Sequence, residues 1–188
     1  MLAVLGWCAV AAPARADWLL VPYAGTGFGA ETSLITLEAG AARMLVGVSG
    51  AWLSDQLVGV EADLVYGPSF FGNTGLAVDS YLSTLSGGVI VAVPLSITRE
   101  SLRPYLTGGL GLVHEEINYS VAFLGESRTT PAVHVGGGAI GFVSRRTGYR
   151  FDLRQVRSLS REDERLTGTR RAKLGFWRLT VGVVIRVG

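Results

Sequence analysis

Apolar and polar residues alternate along three stretches of the chain. In the first, Val58, Val60, Ala62, Leu64 and Tyr66 share one face, while Glu61 and Asp63 share the other. In the second, Tyr149, Phe151 and Leu153 oppose Arg150, Asp152 and Arg154. In the third, Trp177, Leu179, Val181, Val183, Ile185 and Val187 form an unbroken apolar stripe opposite Arg178, Thr180 and Arg186. A period of two places successive side chains on opposite sides of an extended chain, so each stretch reads as a β-strand with one apolar and one ionic face.

Five further strand-like segments complete the pattern. The eight run from Trp18 to Phe28, Arg43 to Leu53, Leu57 to Tyr66, Asp79 to Val93, Arg103 to Val113, Pro131 to Val143, Gly148 to Arg157 and Lys173 to Val187. The gaps between them alternate long and short, beginning and ending long. Ser54-Asp55-Gln56 and Ser144-Arg145-Arg146-Thr147 read as tight turns, and Pro94 to Leu102 as a short link. Most segments have about the 9–11 residues that a tilted strand needs to cross a bilayer. Alternating tight turns and larger loops are what an antiparallel up-and-down transmembrane β-barrel requires, with turns in the periplasm and loops outside. The expected fold is therefore all-β: an eight-stranded antiparallel barrel. Its first strand leads outward, and both ends of the barrel domain lie on the periplasmic side.

Composition narrows the choice. Charged residues make up only 17% of the 188 residues, against the usual quarter or so, and mean hydropathy is +0.37. Yet no apolar stretch reaches the ~18 residues of a membrane helix. Such a chain either hides its apolar residues in a large core or shows them to lipid in alternation. The 26 glycines disfavour long helices and suit tightly packed strands. A net charge of +2 with no basic stripe argues against nucleic-acid binding. Residues 1–16 combine an apolar run with the small-x-small sequence Ala14-Arg15-Ala16, as an export signal does. Residues 17–188 would then be the barrel domain. Cys8, the single cysteine, falls in that signal, which leaves the barrel no thiol for a disulfide, a metal site or nucleophilic catalysis.

In lipid, the polarity of a soluble barrel is inverted. An Arg or Lys facing the bilayer midplane costs ~2–4 kcal/mol, so the ionic faces must turn inward. The expected lumenal charge network is Glu61, Asp63, Arg150, Asp152, Arg154, Arg178 and Arg186. The expected lipid-facing stripe is Trp177, Leu179, Val181, Val183 and Ile185. Aromatic residues are expected in two interfacial bands. Trp18, Trp52, Phe142 and Tyr149 would mark the periplasmic rim, and Phe28, Tyr66, Tyr81 and Trp177 the outer rim. Eight strands leave an interior just wide enough for side chains. The network therefore reads as a structural plug of paired charges, with a polar channel as the alternative.

Two segments carry a resemblance. Arg103-Pro104-Tyr105-Leu106-Thr107-Gly108-Gly109-Leu110-Gly111 resembles the RPY-x-G-x-G-x-G strand of small bacterial outer-membrane barrels. Gly136-Gly137-Gly138, followed by Arg146-Thr147-Gly148-Tyr149-Arg150-Phe151-Asp152-Leu153-Arg154, is similar to their GGG…GLR-x-DLR pair of strands. The chain is thus similar to the OmpA-type eight-stranded barrel superfamily. That likeness implies an outer-membrane location among lipids and lipopolysaccharide, a monomeric state, and insertion by the barrel-assembly machinery. Such chains usually end in Phe; this one departs from the pattern by ending in Val187-Gly188.

Candidate chemistry is sparse. A lipid A-modifying barrel needs a nucleophile beside a base. Of the two histidines, His134 lacks the His-x-Ser pattern of deacylase barrels. His114 sits beside Glu115 and Glu116, with Ser120 and Ser127 near in sequence, in what reads as a flexible loop. That trio could bind a cation. No nucleotide fingerprint is present, because Gly136-Gly137-Gly138 lies mid-strand with no helix after it. The run Arg161-Glu162-Asp163-Glu164-Arg165, with Arg170 and Arg171, reads as a solvated loop, or as a contact for lipopolysaccharide phosphates. The expectation is a non-enzymatic protein without cofactor or metal, having a structural or surface-interaction role with specificity held in the loops. The competing class is a soluble, lipocalin-like ligand-binding barrel, in which the apolar stripes would line a cavity and Arg150, Asp152 and Arg154 would face water.

Overall fold

In the computed structural model, residues 16–31, 42–54, 57–68, 77–98, 102–119, 126–159 and 174–187 are described. They form β1 (Ala16–Glu31), β2 (Arg43–Ser54), β3 (Val58–Pro68), β4 (Ala77–Ala92), α1 (Leu95–Thr98), β5 (Arg103–Tyr119), β6 (Glu126–Phe142), β7 (Thr147–Ser158) and β8 (Gly175–Val187). Each strand pairs antiparallel with the next and β8 returns to β1, which closes the barrel. Closure satisfies the backbone of both edge strands, so no free edge is left to template aggregation. Residues 1–15, most of the expected signal segment, and the run 160–173 lie outside the described residues; so do Ser120 and Cys8.

The alternation visible in β3, β7 and β8 fixes which way every strand faces. Glu61, Asp63, Arg150, Asp152, Arg154 and Arg178 are buried on the inner face. Trp177, Leu179, Val181, Val183 and Ile185 are exposed on the outer wall, as are Val60, Leu64, Leu85, Leu106 and Leu110. Inside, apolar side chains fill both ends. Leu45, Val65, Leu82, Val113 and Phe176 pack together toward the end where β5 and β6 are joined. Leu19, Val21, Leu53, Ile90, Ile140 and Val184 pack toward the end that carries Ala16 and Val187. The ionic groups are held between these two apolar layers.

Two glycines make room for the inner layer. Gly138 lies opposite Tyr105 and Gly47 lies opposite Tyr23 in the ladder. A Cβ on Gly138 would stand 2.7 Å from Tyr105 Oη and run into the Phe151 carbonyl. A Cβ on Gly47 would meet the Tyr23 ring and hydroxyl. Each tyrosine thus lies flat over a neighbouring strand that offers it no side chain.

At the β1–β8 seam Trp18, Leu19 and Leu20 pair with Val187, Arg186 and Ile185, and pairing resumes at Tyr23 with Gly182. Pro22 falls in the interval. It carries no N–H, so it cannot donate to either neighbour.

Three expectations need correction. The β5–β6 hairpin continues past Val113 and Pro131, through His114↔Thr129, Glu115↔Arg128 and Glu116↔Ser127, to Ile117↔Glu126. The gap expected at 114–130 is therefore mostly ladder. Beyond the apolar band of the outer wall the outward residues are themselves polar, so the sequence there loses the alternation that marks a strand. The link at 93–102 is longer than the connection at 120–125 and holds α1, so the long–short rhythm is not regular. Phe142 stands at the end of β6, at the expected rim, but faces inward and not outward: Arg186 Cζ lies 4.2 Å from its ring centroid, in phase with the inward-facing Ile140 two residues before.

Replacing Gly138 with Val is expected to cost ~1–3 kcal/mol through overpacking against Tyr105. Gly50→Ala, whose Cβ meets nothing within 4 Å, is expected to stay within ~0.5 kcal/mol. Urea midpoints of the refolded barrel check the pair.

Candidate functional site

β3 and β7 face each other across the barrel, four strands apart in either direction. Glu61 of β3 reaches over the lumen to both arginines of β7. Arg150 Nη2 donates to Glu61 Oε2 at 2.7 Å, and Arg154 Nη2 donates to Glu61 Oε1 at 2.6 Å. Asp152, between those arginines on the same face, accepts from Arg154 Nε at 2.6 Å, Arg154 Nη2 at 2.9 Å and Arg150 Nη2 at 3.1 Å. Tyr105 Oη donates to Asp152 and accepts from Arg150 Nε at 2.7 Å. Arg150 Nη1 adds a bond to Ser49 at 3.3 Å. Its Cζ lies 4.7 Å from the centroid of the Tyr105 ring.

A second node stands beside the first. Asp63 accepts from Arg178 Nη1 at 2.8 Å and from Tyr23 Oη at 2.6 Å, and Arg178 Cζ lies 5.4 Å from the Tyr23 ring centroid. Together the nodes set three guanidiniums against three carboxylates. The side chains of Glu61, Arg150 and Arg154 are no more than 4% exposed. Taking an ion out of water costs several kcal/mol, and only multiple partners offset it. Here each carboxylate has at least two donors.

Arg186, expected within the same network, is not part of it. It pairs with Asp17 at 2.8 Å and lies over Phe142. That pair is at the end carrying both Asp17 and Val187, where the side chains are 18% and 32% exposed. The reason is distance along the strand: eight residues separate Arg186 from Arg178 on one face. Sequence reasoning also missed Tyr23, Tyr105 and Ser49. Tyr105 stands in the Arg-Pro-Tyr motif, which was the available signal. The alternation around Tyr23 is blurred by Pro22, Gly25 and Gly27. Arg103, from the same motif, donates to the carbonyls of Val93 at 2.8 Å and Ser54 at 2.7 Å, which ties two connections together at the terminal end of the barrel.

The histidines separate. His134 is buried on the inner face, opposite Gly109 and Val156. It borders a cavity of about 10 Å³ together with Thr84, Ser86 and Arg178. His114 and Glu116 lie on the outer face of β5, beyond Leu112. His114 Nδ1 is 2.9 Å from Thr129 Oγ1, and its Nε2 is 3.9 Å from Glu116 Oε2. Glu115 alternates to the opposite face, in register with Arg128, so the strand splits the trio considered for cation binding. Among the described residues no group of three or more metal-ligating side chains comes together.

Glu61→Gln leaves two buried guanidiniums facing a neutral amide. Breaking a buried pair in this way costs ~3–5 kcal/mol. Arg186→Gln, at the partly exposed pair, is expected to cost ~0–1 kcal/mol. Equal urea midpoints for the two variants in lipid vesicles would remove the central nodes from their assigned role.

By sequence, the chain matches no protein-family model and no curated protein. Solved structures do match. Neisserial surface protein A aligns over 92% of this chain and 99% of its own, at 15% identity and a TM-score of 0.66. The outer membrane protein OprG of Pseudomonas aeruginosa aligns over 93% and 97%, at 12% identity and a TM-score of 0.61. The N-terminal β-barrel domain of OprF from the same organism aligns over 91% and 97%, at 17% identity and a TM-score of 0.52. With nearly the whole length aligned on both sides, this chain shares the closed eight-stranded barrel fold of these outer-membrane proteins.

Proposed function

We propose that the protein is a monomeric outer-membrane barrel with a structural and surface-interaction role, whose interior is a fixed plug of paired charges. The carrying observation is its polarity. Apolar side chains such as Leu106, Leu110, Val135 and Val181 are exposed around the outer wall, while the charged belt is buried inside. A soluble ligand-binding barrel needs the reverse, with apolar side chains around a cavity and the Arg150 and Arg178 face in water.

In this reading the chain is exported through residues 1–16, and the barrel-assembly machinery inserts it among outer-membrane lipids and lipopolysaccharide. The end carrying Ala16 and Val187 faces the periplasm. The plug reading is supported by the two apolar layers and the cross-lumen ion pairs between them, since an eight-stranded interior has little space beyond its side chains. Surface contacts then belong to the opposite end, where β5 and β6 rise past the apolar band. A non-catalytic role is supported by His134 lying inside the lumen, away from any lipid substrate, and by the outward-facing His114 meeting Thr129 and Glu116 and not a serine.

Three measurements test this. The protein is expected in the detergent-extracted outer-membrane fraction, and recovery as free periplasmic protein overturns the reading. Planar bilayers containing it are expected to show no stepwise conductance; discrete channels would replace the plug with a pore. Val181→Arg is expected to cost ~2–4 kcal/mol in lipid vesicles, a penalty that a water-facing wall would not impose.

A further inference from the structure

The outer wall changes chemistry sharply on β3 to β6. The outward positions climb through apolar residues to Leu64, Leu85, Leu112 and Pro131, four residues joined in register. The next outward positions are Tyr66, Ser83, His114 and Thr129, again in one row, and beyond them stand Tyr81 and Glu116, paired with each other.

These side chains form a connected patch. The Tyr66 and Tyr81 rings are 5.9 Å apart at 37°, and Tyr81 and His114 are 6.1 Å apart at 41°. Three rings therefore line up across three strands. Tyr81 Oη donates to Glu116 Oε2, and His114 Nδ1 meets Thr129 Oγ1 at 2.9 Å. The patch is open: Tyr66 is 46% exposed, and the His114 and Glu116 side chains are about a third exposed.

From this juxtaposition we infer that the patch formed by Tyr66, Tyr81, His114, Glu116 and Thr129 is a docking face for the uncharged saccharide headgroup of a glycolipid in the surrounding leaflet. It rests on the outer-membrane reading above. The composition selects the ligand. Ring faces pack against the C–H faces of a sugar, while a carboxylate, an imidazole and hydroxyls exchange hydrogen bonds with its hydroxyl groups. A phosphate headgroup would call for Arg or Lys. Among the described outward positions of this patch there is neither, since Arg128 alternates to the other face, and Glu116 repels an anion. The location selects the source. The patch faces sideways, where the apolar band ends, so its occupant has acyl chains beside Leu64, Leu85 and Leu112 and a sugar at the height of the rings.

The test uses the refolded barrel in phosphocholine bicelles, followed by nuclear magnetic resonance. Adding dodecyl maltoside is expected to give saturable shifts at Tyr66, Tyr81 and His114. Tyr81→Ala and Glu116→Gln, both at partly exposed positions, are expected to weaken the apparent affinity about tenfold, the equivalent of ~1.4 kcal/mol, while amide spectra elsewhere stay unchanged. Free maltose is expected to give no shift. The proposal is overturned by an absence of shifts with the maltoside, by unchanged affinity in both variants, by equal shifts from free maltose, or by stronger shifts from a phosphatidic acid. Failure of the barrel to enter bicelles at all would instead refute the outer-membrane reading.

Discussion

A charge inside this barrel has nowhere to go but to another charge. Glu61 meets Arg150 and Arg154 across the full width of the lumen, and that requirement organises the interior. The pairs tie β3 to the opposite wall at β7, while Asp63 ties the same strand to β8 and β1. Slipping any of these strands by one residue would turn its charges to the outer wall and its apolar stripe inward. The ionic pairs and the outer apolar surface thus enforce one register from two sides.

The tyrosines and glycines serve that arrangement. Tyr105 and Tyr23 each take part in an ionic node, and each lies opposite a glycine of the adjoining strand. A larger residue at Gly138 or Gly47 would lift the ring and separate its hydroxyl from the carboxylate. The glycine-rich strands are therefore a packing solution in which the backbone of one strand seats an aromatic side chain of the next.

How much of this was legible in the sequence depended on which residues occupied the inner face. β3, β7 and β8 carry charges there, so their faces read directly, and with them the lumenal positions of Glu61, Asp63, Arg150, Asp152, Arg154 and Arg178. On the inner faces of β1, β4, β5 and β6, small residues such as Gly25, Ser86, Gly109 and Gly136 stand among apolar ones such as Val21, Ile90, Val113 and Ile140, which gives little contrast with the outer face. The tyrosine partners and the inward turn of Phe142 were hidden for that reason. Arg186 shows a different limit: alternation assigns a face but not a height, and it sits too far along β8 to reach the central carboxylates. The upper β5–β6 hairpin was invisible because, beyond Leu112, the outward His114 and Glu116 are as polar as the inward Glu115, and only backbone pairing marks the strands. The cluster of Tyr66, Tyr81, His114 and Thr129 arises from register across four strands, which no local pattern encodes.

The balance of the central belt also has an electrical consequence. Three guanidiniums and three carboxylates share one zone of the interior and sum to zero. A voltage acts on a rigidly held group of charges through the net charge that the group carries across the field. A belt with one arginine left unbalanced would be pulled as a unit along such a field, whereas the paired belt has no net charge for it to pull.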